Sequence, residues 1–530
     1  MINVTFRNTY ARMPEAFFSK DNPSPSSDPV LFKFNEALAK ELGITITDDT
    51  NEIISCDNGE VLKELAEIFS GNKILTGSEP IAMAYSGHQF GNFSPRLGDG
   101  RAILLGEVKD TNGKRCDIQL KGAGRTEWSR GGDGRSALGP VIREYLLSEA
   151  MHQLGVPTTR ALAAVTTGDY VTRQRLIPGG IITRVSSGFV RVGTFQYFAS
   201  QGKIDELKKL VAYVIGRHYP EAKRSQTADV QIPALALLQA VIKRQAKLIA
   251  KWMSLGFIHG VMNTDNVSIA GETIDYGPCA FMDEFSHDRV YSSIDREGRY
   301  AYQNQPQIGQ WNLIRFAETL LPILAEYISP EEGKPEEVVV SIAQTALNEY
   351  EGLYKHYWLN EMRQKLGLKA IEFAENIAKQ AKDKPKNVDD HALISELLLI
   401  MQEGKADFTL TFYYLSQGDE QLDKLNALFG TDVSAKKLAD WMLAWKKRLK
   451  ADKSSVEEQQ ALMQSVNPVY IPRNHQVEAA IRAAEDHNDF SKFESLHKVL
   501  QTPFALQSGK DAYFLPPKPE EVVLQTFCGT

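Results

Sequence analysis

The feature that most constrains this chain is a polar segment enclosed by apolar residues, residues 257–284 (FIHGVMNTDNVSIAGETIDYGPCAFMDE). Asp265 and Asn266 stand side by side just before residues 267–274, whose pattern predicts a short hairpin with its turn at Ala270-Gly271-Glu272. The return arm of this hairpin leads directly into Asp275. We expect the rest of the chain to be organised around this segment.

The two ends of a hairpin lie together, so the pattern predicts that Asn266 and Asp275 converge. Amide and carboxylate oxygens are the ligands that Mg²⁺ or Mn²⁺ accepts while it keeps water and phosphate oxygens in its coordination shell. An ordinary turn with solvated acids is the alternative for either residue alone. The pair, followed by the tripeptide Asp275-Tyr276-Gly277, favours a metal site.

Bulk properties exclude several classes of protein. The chain has 530 residues, 43% of them hydrophobic and 24% charged, as in soluble globular proteins of two or more domains. A net charge of −7 argues against a general nucleic-acid binder. No apolar run approaches the length of a membrane span, and the four cysteines form no CxxC pair, so we expect a cytoplasmic protein without a zinc or disulfide framework.

A glycine-rich segment precedes the first strong strand. Gly98, Gly100 and Arg101 lead into a predicted strand from Ala102 to Leu105. Glycines allow backbone N–H groups to approach phosphate oxygens, and Arg101 adds positive charge. Ordinary turns are the commoner reason for glycines, so this segment alone is weak evidence.

The next strand places a lysine where it can reach phosphates. Residues 115–121 alternate between apolar and polar positions, so Lys121 ends the strand on its polar face. A surface lysine is the alternative. A helix predicted from Pro140 to about Leu154 carries Glu144 and Glu149, either of which could pair with Lys121; Glu144 is favoured, but spacing does not decide.

Two further features add candidate nucleotide contacts. A second flexible loop, residues 129–134, contains Asp133 and Gly134. In the strand predicted over residues 181–192, Arg184 and Arg191 stand on either side of a Ser-Ser-Gly break. A regular strand would point them to opposite faces, whereas the break could turn both toward one triphosphate. Two unrelated surface arginines remain the alternative.

Most of the remaining chain has helical periodicity. The strongest signal runs from Ala234 to Leu255, with one apolar stripe and a stop at Gly256. Residues 380–390 are predicted to be a linker or loop. Helices are also predicted over residues 30–42, 61–69, 312–328, 337–366, 369–379, 391–403, 435–449, 457–464 and 477–485.

The order of these motifs is that of a protein kinase. It predicts an α+β, protein-kinase-like two-lobed fold, with a β-rich N-terminal lobe over residues 1–200 and a large, mostly helical C-terminal lobe over residues 201–530. One position departs from kinases, which place their catalytic base five residues before the metal-binding asparagine. Counting back from Asn266 gives Val261, which cannot accept a proton, so ordinary γ-phosphoryl transfer is disfavoured.

The chain resembles the selenoprotein O family, called YdiU-type proteins in bacteria, over nearly its whole length. The resemblance rests on four long motifs: residues 85–102 (YSGHQFGNFSPRLGDGRA), 117–135 (DIQLKGAGRTEWSRGGDGR), 259–278 (HGVMNTDNVSIAGETIDYGP) and 467–475 (NPVYIPRNH). It implies a pseudokinase by descent that transfers AMP from ATP to Ser, Thr or Tyr hydroxyls of proteins. It also implies that ATP binds in a flipped orientation, and UMP transfer with Mn²⁺ is associated with bacterial members.

The resemblance implies a role for each candidate residue. Asp265 resembles the proton acceptor, Asn266 and Asp275 resemble the ligands of Mg²⁺ or Mn²⁺, and Glu144 resembles the partner of Lys121. The residues that resemble nucleotide contacts are Gly98, Gly100, Arg101, Lys121, Asp133, Gly134, Arg184, Arg191 and Asp275.

The C-terminal cysteine departs from part of the family pattern. Animal members carry selenocysteine where this chain has Cys528, and in some bacterial members that thiol bridges to a cysteine of the activation segment. Here Tyr291 falls at about that position. Cys279 is the only nearby cysteine, so the resemblance does not carry the bridge over to this chain.

Three functions compete on the sequence. The first is a protein adenylyltransferase, with UTP as a further nucleotide. The second is a phosphotransferase that uses Asp265 as its base, and the third is an inactive nucleotide-binding scaffold. The products pyrophosphate and ADP separate the first two, and the third predicts that Asp265→Ala changes nothing.

Overall fold

The computed structural model describes residues 2–47, 58–223, 232–328, 335–372, 388–430 and 432–526. Its N-terminal part is built around a β-sheet, and the described chain after residue 190 is mostly helical. The helices, in chain order, are α1 Glu36–Glu41, α2 Gly59–Phe69, α3 Leu138–Gln153, α4 Val192–Ala199, α5 Ile204–His218, α6 Pro233–Ser254, α7 Gln305–Ala325, α8 Pro335–Lys365, α9 Val388–Gly404, α10 Phe408–Ser416, α11 Leu422–Ala427, α12 Asp432–Lys450, α13 Val456–Val466, α14 Asn474–His487, α15 Ser491–Leu500 and α16 Asp511–Phe514.

Eight strands form the main sheet. In chain order the strands of the described chain are β1 Ile2–Asn3, β2 Phe18–Lys20, β3 Val30–Phe34, β4 Thr45–Ile46, β5 Ile81–Met83, β6 Gly87–Gln89, β7 Asn92–Ser94, β8 Ala102–Lys109, β9 Arg115–Lys121, β10 Ser136–Ala137, β11 Arg160–Thr172, β12 Leu176–Ser186, β13 Phe257–Ile258 and β14 Ala280–Phe281. The sheet has the order β2-β5-β8-β9-β12-β11-β3, with β10 paired to β12, and each of these pairings is antiparallel.

The sheet register brings the polar positions of the central strands together. Lys121, the last residue of β9, lies opposite Ile182 of β12, and Gln119 lies opposite Arg184. The apolar residues of β9, Cys116, Ile118 and Leu120, pack into a core on the other face. Alternation along the strand therefore separates a buried apolar layer from a polar layer at the centre of the sheet.

Helix α3 joins the sheet to the C-terminal helices. It contacts β11 and β12 on one side and α14 and α15 on the other, and nearly all its residues are buried. The amide nitrogen of Gly139 donates to Glu485 (2.9 Å), and Arg143 Nη1 donates to Asn474 Oδ1 (2.8 Å). The helix begins at Leu138, two residues before the proline that predicted its start.

Helix α6 follows its sequence signals closely. Pro233 occupies the first turn, and Gly256 adopts a φ of +69° just beyond the end. Its apolar stripe is buried in two cores. Val241 and Ile242 lie in a core shared with α5 and α7, and Leu248 and Ile249 lie in the core that also contains α3. The predicted helix therefore forms with nearly the predicted bounds, and it leads the chain into the polar segment.

The described residues differ from the sequence predictions in three segments. Residues 30–42 do not form one helix, because Val30–Phe34 pairs with β11 as β3 and only the short α1 follows, with Asn35 accepting from the Leu38 amide. The apolar and β-branched residues of VLFKF favour a strand at the sheet edge over the helix that their spacing predicted. Residues 369–372 are not helical, and 373–379 lie outside the described residues. Of the predicted linker, residues 388–390 begin α9 and the remainder also lies outside them.

No helix in the described part of the chain is long and apolar enough to cross a membrane.

Candidate active site

Asp275 lies at the centre of three cations. Its Oδ1 is 2.9 Å from Lys121 Nζ and 2.6 Å from Arg184 Nη1, and its Oδ2 is 3.6 Å from Arg191 Nη2. Burial opposes ionisation of this carboxyl, but Lys121, Arg184 and Arg191 outweigh it and hold the pKa of Asp275 well below its usual range. The three cations predicted to bind a triphosphate are therefore gathered at one point around one carboxylate.

Glu144 forms the second half of this charge network. Its Oε2 lies 2.7 Å from Lys121 Nζ, and its Oε1 lies 3.2 Å from Arg184 Nη1. Glu149, the alternative partner, pairs instead with Arg160 at 2.9 Å. The structure thus resolves a choice that spacing had left open. The ion pair with the buried Glu144 holds the Lys121 side chain in place at the end of β9.

The break after β12 brings Arg191 toward Arg184. Ser186 Oγ donates to the Gly188 carbonyl at 3.1 Å, and the chain then enters α4 with Arg191 at its N-cap. Both arginines are almost fully buried, and both reach Asp275. Arg191 also lies over the Tyr85 ring, 4.5 Å from its centroid. Arg184 and Arg191 therefore converge, as the Ser-Ser-Gly break allowed.

Asp265 lies in a single 3-10 turn, Thr264–Asn266, beneath the β6–β7 hairpin. Only 8% of its surface is exposed, and burial raises its pKa to about 6 against the opposing charge of Arg191. Oδ2 accepts a hydrogen bond from Gln89 Nε2 at 3.3 Å, whereas Oδ1 has no hydrogen-bond partner among the described residues. A buried carboxylate with one unused oxygen and a pKa near neutrality is suited to accept a proton.

The neighbouring asparagine has one end of its amide already engaged. Asn266 Nδ2 donates to the Val261 carbonyl at 3.0 Å, which leaves the amide oxygen as the atom that could ligate a cation. The Val261 side chain itself is buried. The position where kinases keep their base therefore contributes only a backbone carbonyl and an apolar side chain.

The predicted hairpin over residues 267–274 is wrong. Its arms do not pair with each other: Ser268 bridges to Arg191, and Thr273 bridges to Thr158. A turn forms over Ser268–Gly271, closed by the Gly271 amide donating to the Ser268 carbonyl at 3.1 Å, and not at the predicted Ala270-Gly271-Glu272. Partners distant in sequence replaced the local pairing, so the convergence of Asn266 with Asp275 loses this support and remains a prediction.

The glycines before β8 are required by a tryptophan. Gly98 has a φ of +69°, and a Cβ there would lie 2.3 Å from Trp128 Cγ. A Cβ on Gly100 would lie 2.8 Å from the Trp128 carbonyl oxygen. Packing against Trp128 is thus a sufficient reason for both glycines. Arg101 lies with Lys121 and Glu144 along a small cavity that reaches Gly277.

Asp133 and Gly134 make their contacts away from the charge network. Asp133 Oδ2 is 2.7 Å from Arg173 Nη1, and its Oδ1 accepts from the Arg135 amide. A Cβ on Gly134 would lie 2.1 Å from the Gly124 carbonyl oxygen, so the glycine permits a close crossing of two chain segments. Both residues remain candidates for nucleotide contact, with no direct link to Asp275 among the described contacts.

The sequence analysis missed Asp99 and Gln89. Asp99 is 2% exposed, with Oδ1 3.7 Å from Arg191 Nη2 and Oδ2 accepting from Gln119 Nε2 at 3.0 Å. Burial raises its pKa despite Arg191. Its place between two glycines was the available signal for Asp99, whereas nothing local marks Gln89, whose contact with Asp265 spans 176 residues of sequence.

The C-terminal segment lies against the chain that follows the tripeptide. The Thr526 amide donates to the Tyr291 carbonyl at 2.8 Å, and Thr526 Oγ1 donates to the Pro278 carbonyl at 2.6 Å. Cys279 is fully buried. Cys528 lies outside the described residues, so its pairing stays open.

We expect activity to depend on pH through Asp265 and Gln89. A base works only when deprotonated, so the rate should fall below about pH 6, where the Asp265 carboxyl takes up its proton. The Gln89 N–H stabilises the charged form, and Gln89→Leu should therefore raise the pKa and move the acidic limb of the kcat/KM profile upward by roughly half to one pH unit. Asn92→Ala, an exposed residue of the same hairpin, is the control. An unshifted limb in Gln89→Leu would show that this hydrogen bond does not tune the base.

Comparisons with known proteins give one consistent result. The chain matches the family model described as protein adenylyltransferase SelO over residues 1–501. It is 50% identical to a protein of Rhizobium meliloti (strain 1021) named protein nucleotidyltransferase YdiU, with both chains covered completely. A protein of the same name from Rhodopseudomonas palustris (strain BisB5) is also 50% identical over the full length of both chains.

Proposed function

The chain belongs to the SelO family of protein adenylyltransferases, and we propose that it transfers AMP from ATP to the hydroxyl groups of Ser, Thr or Tyr residues in other proteins. We propose with it a protein-kinase-like, two-lobed arrangement, with residues 1–200 and 201–530 as the lobes. The observation that carries the proposal is the presence of a buried carboxylate with one unpaired oxygen, Asp265, together with a cluster of three cations around Asp275.

The three cations bind the outer phosphates of the nucleotide. Arg184 and Arg191 offer planar donor groups that match phosphate oxygens, and Lys121 adds a point charge that Glu144 holds in place. Among the described contacts Asp275 is the carboxylate that all three cations share, whereas the Nε atoms of both arginines have no hydrogen-bond partner. Phosphate oxygens therefore compete with this carboxylate, and Asp275 becomes available as a ligand when nucleotide binds.

Asp275 and Asn266 would hold Mg²⁺ or Mn²⁺. In the described part of the chain no three or more His, Cys, Asp or Glu residues gather into a metal cluster, and one carboxylate with one amide oxygen fits an ion that takes its remaining ligands from phosphates and water. When bound, the ion would offset negative charge on the pyrophosphate leaving group.

Asp265 removes the proton from the acceptor hydroxyl through Oδ1, the oxygen that has no hydrogen-bond partner among the described residues. The hydroxyl oxygen then attacks the α-phosphorus, its new bond to phosphorus replaces the bond to the β-phosphate oxygen, and pyrophosphate leaves with that electron pair. Val261 offers no base at the position used for γ-phosphoryl transfer. This combination favours the inner phosphorus over the outer one.

Intact mass spectrometry tests the proposal. We expect the wild-type chain, incubated with an acceptor protein, ATP and Mg²⁺ or Mn²⁺, to add one AMP group to the acceptor or to itself. The relatives are named nucleotidyltransferases, which does not specify the nucleotide that they transfer. UTP with Mn²⁺ is therefore measured in parallel for UMP transfer. Addition of one phosphate would favour the phosphotransferase alternative, and no addition of either group would favour the inactive scaffold.

A further inference from the structure

We call the 3-10 turn Thr264–Asn266, with Asn263 at its N-cap, the catalytic turn. A group of arginine and aromatic side chains lies beside it, outside the cation cluster around Asp275. Arg299 and Arg315 both lie over the ring of Trp311, with their guanidinium carbons 4.8 and 5.3 Å from its centroid. The ring of His88 meets the same indole edge-on at 5.3 Å. We call Arg299, Trp311 and Arg315 the arginine–tryptophan surface.

This surface is joined to Asp265 through the β6–β7 hairpin. The His88 amide donates to Thr264 Oγ1 at 2.7 Å, and the Phe90 amide donates to Asn263 Oδ1 at 3.0 Å. A Cβ placed on Gly87 would lie 2.7 Å from Asp265 Oδ1, so the hairpin packs directly against the carboxylate oxygen that has no hydrogen-bond partner.

The segment that carries Arg299 contacts the catalytic turn as well. Tyr300 Oη donates to Asn263 Oδ1 at 2.7 Å, and the Tyr300 ring packs against Phe90 at 5.1 Å. The Arg299 guanidinium carbon would lie 3.6 Å from a Cβ on Gly91, at the hairpin tip. The position of this arginine is therefore fixed relative to the base by contacts on both sides.

The charges on this surface are incompletely balanced. Arg315 pairs with Glu318 at 2.6 Å, but in the described ranges no carboxylate lies within 4 Å of the Arg299 guanidinium. The Nε atoms of both arginines are buried without a hydrogen-bond partner among those residues. Arg299 and Arg315 place two positive charges on one indole, and an anion bound beside them would offset that charge.

We propose that the arginine–tryptophan surface binds an acidic side chain of the acceptor protein, close in its sequence to the hydroxyl that is modified. This inference rests on the proposed function. An arginine fork takes a carboxylate with two hydrogen bonds, which fixes direction as well as distance. The chain carries a net charge of −7, which disfavours acidic partners in general, so a local positive surface is what would let one dock beside Asp265.

Peptide kinetics test the proposal. A set of peptides with one Ser, Thr or Tyr carries Asp at one flanking position at a time, and a matched set carries Asn. We expect wild-type kcat/KM for AMP transfer to be roughly ten-fold higher for the best Asp peptide than for its Asn counterpart. Arg299→Gln should abolish this preference, and Arg299→Glu should invert it in favour of a Lys peptide. Arg296→Gln, an exposed arginine of the same segment, should keep it.

Affinity for ATP separates this proposal from its alternatives. Each Arg299 variant should bind ATP as the wild type does, because Arg299 contacts the acceptor and not the nucleotide. Weakened ATP binding would instead assign the surface to the nucleotide and overturn the proposal, as would equal rates on Asp and Asn peptides or a preference that survives Arg299→Gln. If the wild type transfers AMP without preferring acidic peptides, only this inference is wrong. If it transfers AMP to no hydroxyl, the proposed function and this inference are both wrong.

Discussion

Asp265→Asn is expected to lower the rate of AMP transfer by roughly 10²–10⁴-fold, the range for losing a general base, while ATP affinity stays nearly unchanged. The variant keeps the size of the side chain and an oxygen that can accept from Gln89, but its amide cannot take the proton from the acceptor hydroxyl. Single-turnover kinetics with saturating ATP and acceptor measure the loss directly.

A stability measurement accompanies that prediction. Burial of a charged carboxyl costs free energy, which is why the Asp265 pKa is raised, so the neutral amide should leave the melting temperature equal or higher. Asp288→Asn, at an exposed acid, is the control and should retain full activity. A variant at Asp265 that still transfers AMP at more than about a tenth of the wild-type rate would remove this residue from the chemistry, because that residual rate lies above the general-base range.

Asp275→Asn should affect both stability and metal dependence. In the nucleotide-free protein this change leaves Lys121, Arg184 and Arg191 without their shared carboxylate, although Glu144 still pairs with two of them. Breaking a buried charge network by removing one partner costs about 3–5 kcal/mol, and the lower end is expected here because of that remaining pairing. The transfer reaction should lose its response to Mg²⁺ and Mn²⁺.

The effect of ATP on the melting temperature of Asp275→Asn tests whether the cation cluster binds phosphate. Without metal, ATP should raise the melting temperature of Asp275→Asn more than that of the wild type, because phosphate oxygens replace the missing carboxylate without having to displace it. Asp419→Asn is the control, since its ion pair with Lys446 is exposed and worth only about 0–1 kcal/mol. If Asp275→Asn were as stable as the wild type and gained no extra stabilisation from ATP, the cation cluster would not be a phosphate site.

The sequence predicted those parts of the site that strand and helix periodicity control. Alternation along residues 115–121 placed Lys121 at the end of β9 on the polar face, and the Ser-Ser-Gly break correctly suggested that Arg184 and Arg191 could converge. The choice between Glu144 and Glu149 required the structure, because both lie on one helix and only the position of Arg160 separates them.

The parts that failed depend on partners distant in sequence. Residues 267–274 have the pattern of a hairpin, yet Arg191 and Thr158 supply the strand partners. Residues 30–34 have helical spacing, yet β11 pairs with them as an edge strand. Gln89 reaches Asp265 through a single hydrogen bond. Periodicity reports which face of an element is apolar, and it carries no information about which distant segment will meet that face.

We propose that the nucleotide is cleaved at its inner phosphorus with Asp265 as the base. Parallel reactions with ATP labelled at the α- or the γ-phosphorus test it most directly, with the acceptor protein isolated after each. Label from the α-phosphorus alone should enter the acceptor, and the γ-label should leave as pyrophosphate. Transfer of the γ-label to the acceptor, with ADP as the product, would contradict the account.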